Sequence, residues 1–362
     1  WRRFRAIESG SLEEDVTLAS QPVLSFRFGR TTRLEGRWTP AQREDSPLLV
    51  CLHGGGYTCR YFDAPGRSLV AQASAAGFPA VALTRPGYLA DEDSARRQPS
   101  FAEAAHMIDE AIADVWDRLG GTRPGIVLTG HSIGAAVAVH VAAQKPSWPL
   151  LGLAISGVGD VASPTMVELF AHMPSDLVVE FSLGQARPLL YGPEWTLNTT
   201  ALADVADLGV NYPSADVAEI RNRWSDDLPR IAPAVDVPLH YVLAEFHRLW
   251  DVSEQRVDSF AGHFSNAPFI DASLWRGTGH NIEHHRVSHA YIRAVRQLRR
   301  TLRNGDSSAR RGDLLMFPLR SVQDRALGAG AMPASGAAMT ATSASFAHAP
   351  AARRKPEPEP ES

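Results

Sequence analysis

Gly125-Ile126-Val127-Leu128-Thr129-Gly130-His131-Ser132-Ile133-Gly134-Ala135-Ala136-Val137-Ala138-Val139 is the stretch around which the rest of the chain is organised. An apolar run, a tight turn carrying a serine and then a run of small residues predict a buried strand, a sharp bend and a helix. That is the sequence pattern of a nucleophile elbow. Gly130 and Gly134, each two residues from Ser132, fall where the backbone passes too close to tolerate a Cβ. In such a turn the serine is held at a strained backbone angle that lifts its hydroxyl above the sheet. The N–H of Ile133, at the helix N-terminus, then faces whatever negative charge develops there.

Strand and helix patterns alternate on both sides of this stretch. Leu48–Leu52 is a continuous apolar run suited to a strand buried on both faces, and Pro79–Leu83, Leu150–Ser156, Pro238–Ala244 and Phe269–Trp275 read as further strands. Helices are expected over 62–76 and, from apolar residues at three- and four-residue spacings, over 101–119. The alternation predicts a mostly parallel sheet covered by helices. Ahead of it, Pro22–Phe28 and Thr32–Trp38 alternate with period two about Gly29-Arg30 and predict a hairpin. From 159 to 235 no buried-strand pattern occurs. Short helical stretches around 166–172, 176–181, 201–208 and 216–224, with several Trp and Tyr, predict a helical cap over a pocket. The organisation expected is therefore core at 1–158 and 236–303, cap at 159–235, a final helix over 282–302, and a disordered Ala/Gly/Ser/Pro-rich tail at 304–362.

Composition narrows the function classes. An apolar share of 44% and a net charge of -4 describe a globular protein with a sizeable core, and point to neither nucleic acid nor a membrane surface. No apolar run approaches the roughly eighteen residues that a bilayer span needs. Two cysteines, Cys51 and Cys59, exclude a disulfide framework and are expected to be unpaired. The chain opens at Trp1-Arg2-Arg3-Phe4 without an apolar leader, and a cytoplasmic location is the expectation.

Two further segments complete a catalytic pattern. The strand Leu48–Leu52 runs into His53-Gly54-Gly55-Gly56-Tyr57, and three glycines there suit a backbone that must closely approach a substrate oxyanion. Acyl transfer to a serine also needs a base and a carboxylate to fix and stabilise it. His280, preceded by Gly277-Thr278-Gly279 just past the last strand, is the candidate base. The order of glycine loop, serine, acid and histidine resembles that of the α/β-hydrolases. The resemblance spans roughly 20–303, and the Arg85-Pro86-Gly87-Tyr88 turn with the long insertion is most similar to capped esterases and related small-molecule hydrolases. It implies an α/β-hydrolase fold in which Ser132 attacks an ester-like carbonyl, His280 acts as base and then acid, and the N–H groups of Ile133 and of Gly55 or Gly56 hold the oxyanion. It calls for no cofactor or metal, and its partner is a small-molecule substrate.

The carboxylate departs from the family pattern. The preceding strand usually ends in a Gly-Glu-x-Asp-like turn, and the Asp position is here His247, which cannot do a carboxylate's work. Glu245, leaving the strand directly, is preferred; Asp251 further along the loop and Asp160 after the preceding strand follow. A competing signal is His280-Asn281-Ile282-Glu283-His284, an H-x-x-E-H zinc pattern with His285 and His289 nearby. Gly277 and Gly279 make His280 a loop residue rather than a helical ligand, against that reading. Lactone or C–C bond hydrolysis on the same triad, a metallohydrolase built on that cluster, and a binding module are the alternatives. His131 is expected to pack the elbow, His53 to order the glycine loop, Tyr57 to line the pocket mouth or close the turn, and Arg85 to pair with a core carboxylate. His284 and His285 are expected as polar lining or helix surface.

Overall fold

A computed structural model describes residues 23–41, 43, 45–88, 98–171, 177–197 and 205–286 of the 362. The strands are β1 (Leu24–Phe28), β2 (Leu34–Thr39), β3 (Leu48–Leu52), β4 (Ala80–Leu83), β5 (Ile126–His131), β6 (Leu150–Ser156), β7 (Val178–Val179), β8 (Tyr212–Pro213), β9 (Leu239–Ala244) and β10 (Ile270–Trp275). Eight of them form one sheet in the order β1-β2-β4-β3-β5-β6-β9-β10. The pairs β1/β2 and β2/β4 are antiparallel, and every pair from β4 to β10 is parallel.

The two central strands β3 and β5 are buried at every residue. Their side chains alternate between two apolar layers: Val50, Leu52 and Leu128 join one, while Leu49, Cys51 and Val127 join the other. This is why both runs read as continuously apolar rather than alternating. The first layer is completed by α2 (Phe101–Leu119) and α3 (Ile133–Ala143). A capping box between Ser100 and Glu103 starts α2. Helix α3 is a run of small and branched apolar residues because it is enclosed almost all round.

The expected helix over 62–76 is shorter. Cys59–Asp63 form a 3-10 turn and α1 spans only Leu69–Ala75. Pro65 forces Ala64 into an extended conformation (φ -64°, ψ 137°), so the helix restarts only after the Ser68 cap.

Within 159–235 the described helices are Pro164–Leu169, Leu183–Leu190, Ser214–Asn222 and Trp224–Ile231. The helical stretch expected around 176–181 is instead strand: β7 pairs with β8. The stretch around 201–208 falls partly outside the described residues and ends in a 3-10 turn at Ala206–Leu208. The segment is anchored to the sheet: buried Trp224 donates its indole N–H to the Gly159 carbonyl (2.8 Å), and Ser225 donates to the Asp160 carbonyl (2.8 Å). Between β9 and β10 lies a helix, Glu254–Gly262, that the sequence pattern did not reveal. Ile282–His284 form a 3-10 turn rather than the start of a regular helix, and the rest of the expected 282–302 helix and the 304–362 tail lie outside the described residues. Among the described residues no helix is long and apolar enough to cross a membrane, and both cysteines are buried and free.

Candidate active site

Strand registers bring the chemistry to one edge. Leu52 of β3 lies beside Gly130 of β5, His131 beside Ser156 of β6, Ser156 beside Val242 of β9, and Ala244 beside Trp275 of β10. The carboxyl ends of five parallel strands thus end together, and the glycine loop, Ser132, Gly157, His247 and His280 all leave from them.

Ser132 has φ 55° and ψ -123°, a conformation that side-chain-bearing residues rarely adopt. The surrounding backbone holds it there: Ser132 N–H donates to Ser156 O at 2.8 Å. A Cβ on Gly130 would stand 2.5 Å from the Gly134 carbonyl oxygen, and one on Gly134 would fall on the carbonyl oxygens of Leu52 and His53. Both glycines are therefore demanded by contact with backbone that cannot yield.

The glycine loop is braced from beneath. His53 Nδ1 bonds the Gly54 carbonyl (2.7 Å), while its Nε2 accepts the Arg85 N–H (2.9 Å). Burial, reinforced by the Arg85 charge, holds His53 well below the ordinary imidazole range, so it is neutral. The Arg85 guanidinium donates to His53 O (2.8 Å) and is paired with Asp216 (2.7 Å), which also accepts from the Tyr88 hydroxyl (2.8 Å). Gly55 lies against Ile133, whose Cδ1 is 3.2 Å from where a Gly55 Cβ would stand. The Gly56 carbonyl accepts the Val210 N–H (2.9 Å), and Phe181 and Tyr212 of the insertion crowd its α-carbon. The insertion thus covers the loop.

His280 is buried, its ring centroid 4.7 Å from that of His131, the residue before Ser132. None of the three expected carboxylates reaches it. Glu245 Oε2 accepts the Gly277 N–H (2.8 Å) and its Oε1 lies 3.6 Å from Arg276 Nη1. Asp251 is paired with Arg256 (2.9 Å), and Asp160 accepts from Ser259 (2.6 Å). Instead, His247 Nε2 stands 2.7 Å from His280 Nδ1, the two rings perpendicular. The position that holds no carboxylate is the one that touches His280. Glu245, first out of β9, is drawn back to the backbone of the neighbouring loop, and the turn aims the residue two further on toward His280.

Residues 49–294 match the sequence profile of the Alpha/beta hydrolase family. The chain belongs to that family. Solved structures of the same fold include an esterase from Thermogutta terrifontis (17% identity, 77% of this chain and 99% of that one, TM-score 0.54). A soluble variant of monoglyceride lipase from Saccharomyces cerevisiae matches at 12% identity over 80% and 97% of the two chains, with a TM-score of 0.59. The 2-hydroxy-6-oxo-6-phenylhexa-2,4-dienoate hydrolase of Rhodococcus sp. strain RHA1 matches at 17% identity over 77% and 99%, with a TM-score of 0.57. No curated protein matches the sequence.

In this α/β-hydrolase the H-x-x-E-H side chains diverge. His280 faces His247; Glu283 accepts from the hydroxyls of Tyr61 (2.7 Å) and Ser156 (2.7 Å); His284 bonds Tyr191 (3.1 Å) and the Tyr61 carbonyl (3.0 Å). Among the described residues no three His, Cys, Asp or Glu side chains are grouped to hold a metal, and His289 lies outside them. Glu283 is a buried carboxylate that sequence reasoning missed as a structural element. Burial alone would raise it, yet His131, Tyr61 and Ser156 together hold it below the usual carboxylate range. His131 is therefore more than packing: its Nδ1 is 3.1 Å from Ser156 Oγ and 3.4 Å from Glu283. His285 orders the His280 loop, its Nε2 accepting N–H bonds from Gly279 (2.9 Å) and Gly192 (3.2 Å) and its Nδ1 donating to Asn281 O (2.9 Å). Tyr57 accepts from the Asn281 amide (2.9 Å), tying the glycine loop to the same turn.

Proposed function

We propose that the chain is a serine hydrolase acting on an ester-like small molecule through an acyl-enzyme on Ser132. The observation that carries this reading is the strained Ser132 backbone at the end of β5, enforced by two glycines that can be nothing else. His280 takes the hydroxyl proton through Nε2 and returns it to the leaving group; water then hydrolyses the acyl-enzyme. The N–H groups of Ile133 and Gly55 hold the oxyanion in this reading, which the contact between the two residues supports, while Gly56 is engaged with the insertion through its carbonyl. Similar folds carrying the names esterase, lipase and dienoate hydrolase support a hydrolytic reaction.

Fluorophosphonate labelling followed by peptide mapping tests it. Label is expected on Ser132 in the native chain and absent in Ser132→Ala, which should also lose turnover of an activated ester by several orders of magnitude, roughly 10⁴-fold or more. Label on another residue, or Ser132→Ala with native turnover, would overturn the reading.

A further inference from the structure

The partners of His247 determine which of its nitrogens carries the proton. Its Nδ1 lies 3.2 Å from the Leu249 N–H and 3.3 Å from the Trp250 N–H, two fixed donors aimed at one atom. A proton on Nδ1 would oppose both, so Nδ1 keeps its lone pair and accepts. His247 is buried and neutral, burial holding it down to about 3. Its single proton therefore resides on Nε2. That nitrogen faces two atoms, the Gly157 carbonyl at 3.2 Å and His280 Nδ1 at 2.7 Å. A carbonyl can only accept, which agrees with an Nε2–H. His280 Nδ1 must then also present a lone pair, because a second N–H at 2.7 Å would place two protons between the nitrogens.

We propose that His247 is the positioning residue of His280 and that it holds His280 in the Nε2–H tautomer. A carboxylate at this station does the reverse: it accepts from Nδ1–H and leaves Nε2 free to receive the serine proton. Here the acceptor is replaced by a donor. On the serine-hydrolase reading, the resting imidazole then has an N–H instead of a lone pair on the nitrogen that must take the serine proton, and the base is available only in the minor tautomer. The inference rests on the serine-hydrolase reading for its kinetic consequence but not for the tautomer itself. Its consequence is a slow enzyme whose nucleophile is restrained by residue 247.

Two variants separate the effects. In His247→Gln, the side-chain oxygen reaches the place of the imidazole Nε2 and accepts from His280 Nδ1–H, while the amide NH₂ donates to the Gly157 carbonyl; the tautomer is reversed without adding charge. His247→Glu reverses it and supplies the charge as well. The primary measurement is a long-range ¹H–¹⁵N spectrum of the full chain labelled with [¹⁵N]histidine, with the His280 signals assigned by their loss in His280→Gln. The native protein should show His280 protonated on Nε2 with a bare Nδ1, and His247→Gln should invert that pattern. Fluorophosphonate labelling of Ser132 should then accelerate about tenfold or more in His247→Gln and further in His247→Glu, within a ceiling of about 10⁴-fold set by what a wrong tautomer costs a triad.

A native spectrum with His280 protonated on Nδ1 would overturn the proposal even if the variants fail to fold. An inverted tautomer with unchanged labelling would overturn its kinetic half. Absence of label from Ser132 in every form would refute the hydrolase reading instead, and the spectrum would still decide the tautomer.

Discussion

Replacing Asp216 by leucine should destabilise the protein by about 4 kcal/mol. The Asp216 carboxylate is 2% exposed and accepts from Arg85 (2.7 Å) and Tyr88 (2.8 Å), while the Arg85 side chain is 1% exposed. Leucine keeps the branched shape of the side chain and is larger, so the effect does not come from a cavity. What remains is a guanidinium buried without its counter-charge, a defect that costs about 3–5 kcal/mol, together with an orphaned tyrosine hydroxyl at about 1–3 kcal/mol, the two overlapping because they share one carboxylate. At roughly 2–4 °C per kcal/mol for a domain of this size, the midpoint of thermal unfolding should fall by about 8–16 °C. The assay is urea and thermal denaturation of native, Asp216→Leu and Arg85→Met/Asp216→Leu chains. The double variant removes both charges and should be more stable than Asp216→Leu alone, because the uncompensated ion is gone. A single-variant loss under about 1 kcal/mol, or a double variant weaker than the single, would refute the claim that this pair is a dry, mutually dependent unit.

Three further outcomes are expected. Gly134→Ala should fail to accumulate as folded protein, or lose label on Ser132, since its Cβ meets two carbonyl oxygens of the β3 end; a folded variant with native labelling would contradict this. Glu245→Gln keeps an acceptor for the Gly277 N–H and should change ester turnover by less than about threefold, whereas removal of a triad carboxylate costs about 10⁴-fold. Stability should fall in acid: the folded values of His247 (about 3), His284 and His285 (both about 4) lie below 6.5, so the unfolded chain binds more protons as pH drops from 6.5 toward 4. Each of these histidines then removes about 1.4 kcal/mol per pH unit, or about 2 kcal/mol at about pH 5, and stability is fully present above 6.5. Equal urea midpoints at about pH 5 and pH 7.5 would contradict it.

Much of this was legible in the sequence because it is enforced locally. The elbow needs an apolar strand, two glycines and a small-residue helix within fifteen positions, and nothing distant alters that demand. The parallel sheet was legible for the same reason, since strands buried on both faces must be apolar throughout. The partner of His280 was not. Glu245 and His247 are two residues apart beyond β9, and which of them meets the imidazole depends on the turn at Phe246, whose N–H bonds Thr278 O at 2.9 Å, a contact between two strand ends far apart in sequence. Residue type favoured the carboxylate; backbone direction favoured the histidine. The insertion was misread in part because Pro188 and Pro229 lie inside helices that the same residues signal should break.

Asn281 N–H bonds the Leu190 carbonyl at 2.9 Å, and a Cβ on Gly279 would collide with the Gly192 nitrogen, so the insertion and the loop carrying His280 are stitched backbone to backbone. A lid lifted along that seam would drag the imidazole away with it. At this margin the insertion and the His280 loop are therefore one mechanical unit, and a displacement of either is passed to the other.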